Sequence, residues 1–273
     1  MRVYPFVRIL EEYKDTTTLF QRNVIKEYLQ ILVLSFLYAH PQYQDLIFYG
    51  GSCLRHCFDL PRLSEDLDFI APHQIDKNVL AQALKEFFRK ELNITIETKV
   101  QKFRVYLKFS ILSALKISSP TESDLLFLKV ELRSDFAFCK GYTVETMPLF
   151  KYEKSLLVKT LDLPTLMSTK LRAILHRKWK RTSKSGQVLA SVKGRDYFDL
   201  MWYLQKGVSP NLECLGEHFT RDTLRKKLLS IVRTVDAKSI QYDLEGLIAD
   251  QAFLANLKKN IKQILEREIV ARL

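Results

Sequence analysis

Asp66 and Asp68 stand two residues apart and follow the run Gly50-Gly51-Ser52, with Asp66 fourteen residues after Ser52. On an extended strand, residues two apart point to one side, so both carboxylates would face one way while Leu67 and Phe69 face the core. Two like charges roughly 6–7 Å apart at the backbone repel each other unless something cationic sits between them. Oxygen-only donors of this kind suit Mg²⁺ or Mn²⁺, which complete their shells with waters and phosphates. A solvent-facing edge strand with two ordinary aspartates would give the same pattern. The Gly-Gly-Ser run offers the complementary half of a site. Following the apolar strand DLIFY (45–49) and leading into a helix, it presents backbone N–H groups and a hydroxyl at a helix N-terminus. Such a place favours phosphate, although strand–Gly-Gly–helix turns also arise for conformational reasons alone. Taken together, the two features can form adjacent strand ends joined by one helix. A nucleoside triphosphate held there by its phosphates, with metal ions bridging phosphate and protein, is set for in-line attack at the α-phosphate.

The elements that must position these residues can be read from periodicity. Residues 11–39 read as helical, and GGSCLRHCF turns into a helix with Leu54, Cys57 and Phe58 on one face. SEDLDFI is the next strand, and NVLAQALKEFFRKEL (78–92) is an amphipathic helix. Three strands follow, at 94–100, 103–112 and 125–136. Alternation in the last of them puts Phe127, Lys129, Glu131 and Arg133 opposite Leu128, Val130 and Leu132, as any half-exposed strand does. Few βαβ units are complete, so the expectation is an α+β protein with a mixed sheet rather than a doubly wound parallel one. Beyond about residue 160 the pattern turns helical, with a polar loop at 180–194 and two or three helices in 221–273. The chain therefore divides into an α+β domain (1–160) and a helical domain (161–273), with the boundary near 150–165.

Composition narrows the function classes. The 273 residues are 47% hydrophobic and 27% charged, with sixteen Gly and Pro together, which suits an ordered chain with a sizeable core. The N-terminal MRVYPFVRIL lacks the apolar stretch of a signal peptide, and ILVLSFLYA (31–39) is too short to span a bilayer, so a cytoplasmic protein with no membrane partner is expected. Cys53, Cys57, Cys139 and Cys214 fit reduced, buried thiols, and no second Cys/His pair stands at zinc spacing. The net charge is +12. Between Lys170 and Arg195 lie Arg172, Arg177, Lys178, Lys180, Arg181, Lys184 and Lys193 without an acidic residue. A block of that kind attracts polyanions, nucleic acid above all, unless it is an ordinary solvated face.

The stretch GGSCLRHCFDLPRLSEDLDF resembles the signature of the AbiEii/AbiGii nucleotidyltransferase toxin family, which includes the MenT toxins and belongs to the DNA polymerase β-like nucleotidyltransferase superfamily. The matching positions are Gly50, Gly51, Ser52, Leu54, Arg62, Ser64, Asp66, Asp68 and Phe69. A second block, KLRAILHRKW followed by KGRDYFDLMWYL, is similar to the family's Lys…Arg-Asp-x-x-Asp-Leu segment at Lys170, Arg195, Asp196, Asp199 and Leu200. The resemblance implies a mixed-sheet nucleotidyltransferase core followed by a helical C-terminal half. It also implies that Gly50, Gly51, Ser52, Arg62 and Ser64 bind the nucleotide, and that Asp66 and Asp68 hold Mg²⁺ or Mn²⁺ with a third carboxylate from a later strand, for which Glu131 is the candidate and Asp135 a weaker one. Lys170 would contact phosphate, and Asp196 would complete the site from the helical half. The implied reaction transfers a nucleoside monophosphate from an NTP to an acceptor, foremost the 3′ end of tRNA, with Arg177, Lys178, Lys180 and Arg181 on the nucleic acid. A cognate antitoxin is the implied partner. A protein or small-molecule hydroxyl as acceptor, and a non-catalytic binding module, are the alternatives.

Overall fold

In the computed structural model, residues 4–118, 123–134, 136–139, 141–183, 185–216 and 219–273 are described; Asp135 and Lys184 lie outside them. The chain forms two compact units, one of Met1–Phe136 with Val144–Thr160 and one of Ala137–Thr143 with Leu161–Leu273. A linear division at 160 does not anticipate that the short segment 137–143 belongs with the second unit.

The first unit begins with α1 (Tyr4–Glu11) and α2 (Thr18–Ala39). The sequence reads as one helix from residue 11, but Thr17 starts α2 afresh by accepting the Phe20 N–H at 3.2 Å. Next come β1 (Ile47–Tyr49), α3 (Gly50–Cys57), β2 (Leu67–Ile70) and α4 (Lys77–Leu92). Strands β3 (Glu97–Gln101), β4 (Arg104–Ser110) and β5 (Leu125–Arg133) form an antiparallel run. The hairpin of β6 (Val144–Lys151) and β7 (Lys154–Leu161) completes a seven-stranded sheet in the order β3-β4-β5-β2-β1-β7-β6. Strand β2 runs parallel to β5 and antiparallel to β1, while β1 runs parallel to β7, so the sheet is mixed and the architecture is α+β.

Periodicity left the β6–β7 hairpin unread. Its turn residues, Tyr152 and Glu153, both have positive φ (50° and 60°), the geometry for which Asn-Gly is the usual signal. Tertiary contacts hold them instead: the Tyr152 ring packs edge-on against Tyr28 at 5.2 Å, and its hydroxyl donates to Glu27 Oε2 at 3.2 Å.

Alternation divides the two faces of the sheet. Val105, Leu107, Phe109, Leu126, Leu128, Val130 and Leu132 are buried together, with α2 and α4 packed on the sheet. Phe88 of α4 meets Phe109 edge-to-face at 4.9 Å. Each such side chain contributes about 1.5–3 kcal/mol by leaving water. The opposite positions of the same strands include Arg104, Lys108, Lys129, Glu131 and Arg133.

The second unit contains α5 (Leu163–His176), a short hairpin of β8 (Arg181–Thr182) and β9 (Val188–Ala190), α6 (Gly194–Gln205), α7 (Arg221–Val232), α8 (Ala237–Leu244) and α9 (Gln251–Arg272). The stretch expected as a loop at 180–194 thus carries a two-stranded ribbon, whose strands are too short to show a period. Cys139 and Cys214 are joined as a disulfide, against the expectation of four reduced thiols, while Cys53 and Cys57 are free. A separation of 75 residues offers no spacing cue for that pairing. Among the described residues no helix is long and apolar enough to cross a membrane.

Candidate active site

The Gly-Gly-Ser segment and the aspartate pair are packed against each other residue by residue. Gly50 leaves β1 with φ +81°, and a Cβ there would stand 2.5 Å from Asp68 Oδ2. Glycine is therefore required both by the backbone and by the carboxylate. At Gly51 an added Cβ would lie 2.9 Å from Ser64 Oγ and 3.0 Å from an Arg62 guanidinium nitrogen. The Ser52 hydroxyl donates to the Asp66 carbonyl. The fourteen-residue spacing thus closes a loop on itself. Ser52, Arg62 and Ser64, expected at the nucleotide, are buried side chains that tie this loop together. Tyr49, in the capping position of α3, gives no side-chain cap, so the first N–H groups of the helix have no side-chain acceptor from it.

Strand register builds a charged row beside this turn. Tyr49 is opposite Asp68, Asp68 opposite Glu131, and Glu131 opposite Arg104, so β1, β2, β5 and β4 present these four side chains abreast. Glu131 is matched by Arg104 (Nε–Oε1, 2.7 Å) and by Arg133 (Nη2–Oε2, 3.5 Å). One step along β5, Lys129 Nζ reaches Asp66 Oδ2 at 2.7 Å. Burial alone would favour neutral Lys129, but the Asp66 carboxylate outweighs it and raises the lysine above its ordinary pKa. Burial likewise pushes the Tyr49 phenol upward, and the Asp68 charge adds to the effect.

This arrangement can be tested against the metal that the sequence implies. Asp66, just before β2, and Asp68 on it are hard oxygen donors, with Asp68 held against the Gly50 cradle. Among the described residues no group of three His, Cys, Asp or Glu side chains stands close enough to hold an ion. Glu131 is occupied by arginines. That leaves Asp66 and Asp68 as the donors whose chemistry suits a hard cation, with the rest of its shell to be supplied by water and phosphate. Sequence reasoning placed Lys129 beside Glu131 by alternation but gave it no role. Arg104 carried no signal at all, since only the β4–β5 register brings it to the row.

A second cluster lies in the helical unit. Lys170 of α5 is bonded to Asp196 (2.8 Å) and Asp199 (2.7 Å) of α6, and Arg177 holds the other Asp196 oxygen at 2.6 Å. Asp199 is fully buried and Asp196 nearly so, which makes the pairing obligatory. Gly194 starts α6 where a Cβ would sit 2.7 Å from the Ser239 carbonyl oxygen of α8, so the helix can approach only as glycine. Asp243 accepts the Arg195 N–H at 3.0 Å and lies near the side chains of Arg195 (3.7 Å) and Lys193 (3.9 Å). Arg172 lies over the Phe138 ring at 4.1 Å. Of the basic block, Lys178, Lys180 and Arg181 stand exposed near the β8–β9 ribbon.

Gly50, Gly51, Ser52, Arg62, Ser64, Asp66, Asp68 and Glu131 thus come together in the first unit, and Lys170, Arg177 and Asp196 in the second. A family model described as "Nucleotidyl transferase AbiEii toxin, Type IV TA system" matches residues 33–270. Two solved structures from Helicobacter pylori are similar at 18% identity: a provisionally assigned nucleotidyltransferase (TM-score 0.47) and JHP933 (TM-score 0.46). Each alignment covers 91% of this chain, with 96% and 94% of the other chain respectively. No curated protein matches.

Proposed function

Because the chain belongs to the AbiEii nucleotidyltransferase toxin family of type IV toxin–antitoxin systems, we propose that it transfers a nucleoside monophosphate from an NTP to the 3′ end of tRNA and so blocks translation. One observation carries the reading: the start of α3, which has no side-chain cap, is packed by its own loop against both aspartates through Gly50–Asp68 and Ser52–Asp66. The N–H groups take the triphosphate, and the buried Ser52, Arg62 and Ser64 keep that turn rigid. Asp66 and Asp68 hold Mg²⁺ or Mn²⁺; when bound, the ion supplies Lewis-acid neutralisation of the phosphate oxygens. The acceptor hydroxyl oxygen forms a new bond to the α-phosphorus and gives up its proton to water, while the bond to the bridging oxygen breaks and pyrophosphate leaves. In the second unit Lys170 is the phosphate-contacting lysine that the family resemblance implies, and Asp196 and Asp199 fix its ammonium. Exposed Lys178, Lys180 and Arg181 bind acceptor phosphates, in keeping with the net charge of +12. The family implies a cognate antitoxin as the partner that restrains this activity.

A second reading has its own support. Of the nine basic residues in the block, Lys170, Arg177, Lys193 and Arg195 face carboxylates of the chain itself, which thins the polyanion signal. A protein or small-molecule hydroxyl is then the acceptor. Incubation with tRNA, Mg²⁺ and each labelled NTP in turn decides between them. Label appearing on the tRNA 3′ end, with strong salt dependence, supports the first reading. Label appearing on protein or a small acceptor, with tRNA unlabelled, supports the second.

A further inference from the structure

We infer that Lys129 takes the place of a second divalent ion, so that the site is built for one metal ion and one protein ammonium; the inference rests on the nucleotidyl-transfer reading above. Two divalent ions lie about 3.5–4 Å apart where both act in phosphoryl transfer, and carboxylates must bridge them. Here Glu131 and one oxygen of Asp66 are already engaged by cations of the chain. Glu131 has Arg104 at 2.7 Å on one oxygen and Arg133 at 3.5 Å on the other. Both guanidinium groups lie over the Phe103 ring, at 4.4 and 4.7 Å, which fixes them there. Glu131 is therefore matched on both oxygens without a metal. Lys129 Nζ stands 2.7 Å from Asp66 Oδ2, where a second ion would need that oxygen.

The side chain suits the task. An ammonium has three N–H donors; one serves Asp66 and two remain for phosphate oxygens. The Lys129 side chain is 34% exposed, so a triphosphate at the α3 turn can meet it. Its place on β5 next to Glu131, which is in register with Asp68 on β2, keeps it on the carboxylate side of the sheet. A fixed point charge at this position neutralises developing phosphate charge without the ligand rearrangement that a second ion requires.

Titration of the full chain with Mn²⁺, followed by electron paramagnetic resonance, tests this without any turnover. The wild type should bind one ion per chain, and Asp66→Asn should lose it. Lys129→Met, which keeps the aliphatic stem, should bind that ion about tenfold more tightly because a repelling charge is gone. Lys129→Glu should take up a second ion when an unreactive NTP analogue is present. In metal-free buffer, Lys129→Met should weaken the analogue about tenfold, and Lys129→Arg should restore it. Two ions of similar affinity on the wild type overturn the inference. So do Lys129→Met and Lys129→Glu chains that are folded by circular dichroism and bind one ion like the wild type, which leaves the metal reading itself standing. No Mn²⁺ on the wild type overturns both.

Discussion

The two ion clusters use the same residue types in opposite environments. On the sheet, Asp66 and Lys129 are 24% and 34% exposed, whereas in the helical unit Lys170, Asp196 and Asp199 are 14%, 5% and 0% exposed. A partly exposed pair can admit a further ligand beside it at modest cost, because its remaining donors and acceptors are already open to water. A buried cluster cannot, since each group left alone bears its full desolvation penalty. The first cluster is thus suited to receive a cation and a nucleotide, and the second to hold one ammonium in a fixed position. Burial rather than the unit is the variable. Glu27 in the first unit is also buried, matched by Arg55 Nε at 2.6 Å, Lys151 Nζ at 2.9 Å and the Tyr152 hydroxyl.

The largest expected effect breaks the comparison at its exposed end. Asp66→Ala or Asp68→Ala should lower nucleotidyl transfer by at least about a thousandfold, the scale of losing a main electrostatic stabiliser. The melting temperature should stay within a few degrees of the wild type. A folded double variant with full transfer, or full transfer in excess EDTA, removes the metal assignment.

At the buried end, Asp199→Ala should destabilise the protein by about 3 kcal/mol, at the lower end for a broken buried pair because Lys170 retains Asp196. Urea unfolding measures it. A loss under about 0.5 kcal/mol, the scale of surface substitutions, places the cluster with exposed ion pairs.

Acid unfolding sharpens the contrast through Glu27. Burial opposes its charge, but Lys151 and Arg55 overcome this and bring its pKa from the ordinary 4.5 to about 2. A depressed folded pKa means stability that is fully present above the unfolded value and lost as pH falls through the folded one. The contribution, on the order of 3 kcal/mol, should therefore fade between about pH 4.5 and about pH 2. Glu27→Gln should flatten that part of the stability–pH curve. An unchanged slope in the variant counts against the pairing.

The smallest effect concerns the exposed basic residues. Reversing Lys178, Lys180 and Arg181 to glutamate, while sparing the ion-paired Arg177, should weaken tRNA binding and reduce the salt slope by roughly one unit for each phosphate that is no longer neutralised. NTP affinity should change little. Unchanged affinity and slope would make this an ordinary solvated face and favour the protein or small-molecule acceptor.

The candidate site was legible in the sequence where its parts are close along the chain. Gly50, Gly51, Ser52, Asp66 and Asp68 lie within one strand–helix–strand passage, and side-chain alternation on β2 is a local rule. Glu131 and Lys129 could be placed on a common face for the same reason. The mixed α+β class followed from the same periodicities, while β6 and β7 escaped because Tyr152 and Glu153 lack turn chemistry of their own. Their conformation rests on Tyr28 and Glu27, which are remote in sequence.

Residue types and their order supply an inventory: two glycines, paired carboxylates, and a surplus of lysine and arginine. How those charges are matched is a property of the packed chain. The pairing of Lys129 with Asp66 and of Arg104 with Glu131 depends on β2, β5 and β4 lying side by side in one register. That register is set by which apolar faces bury together. The run from Lys170 to Arg195 contains no acid, yet Asp196, Asp199 and Asp243, all beyond its end, neutralise part of it once the helices pack. Coulomb energy depends on distance in space, and a linear sequence holds that distance only for near neighbours.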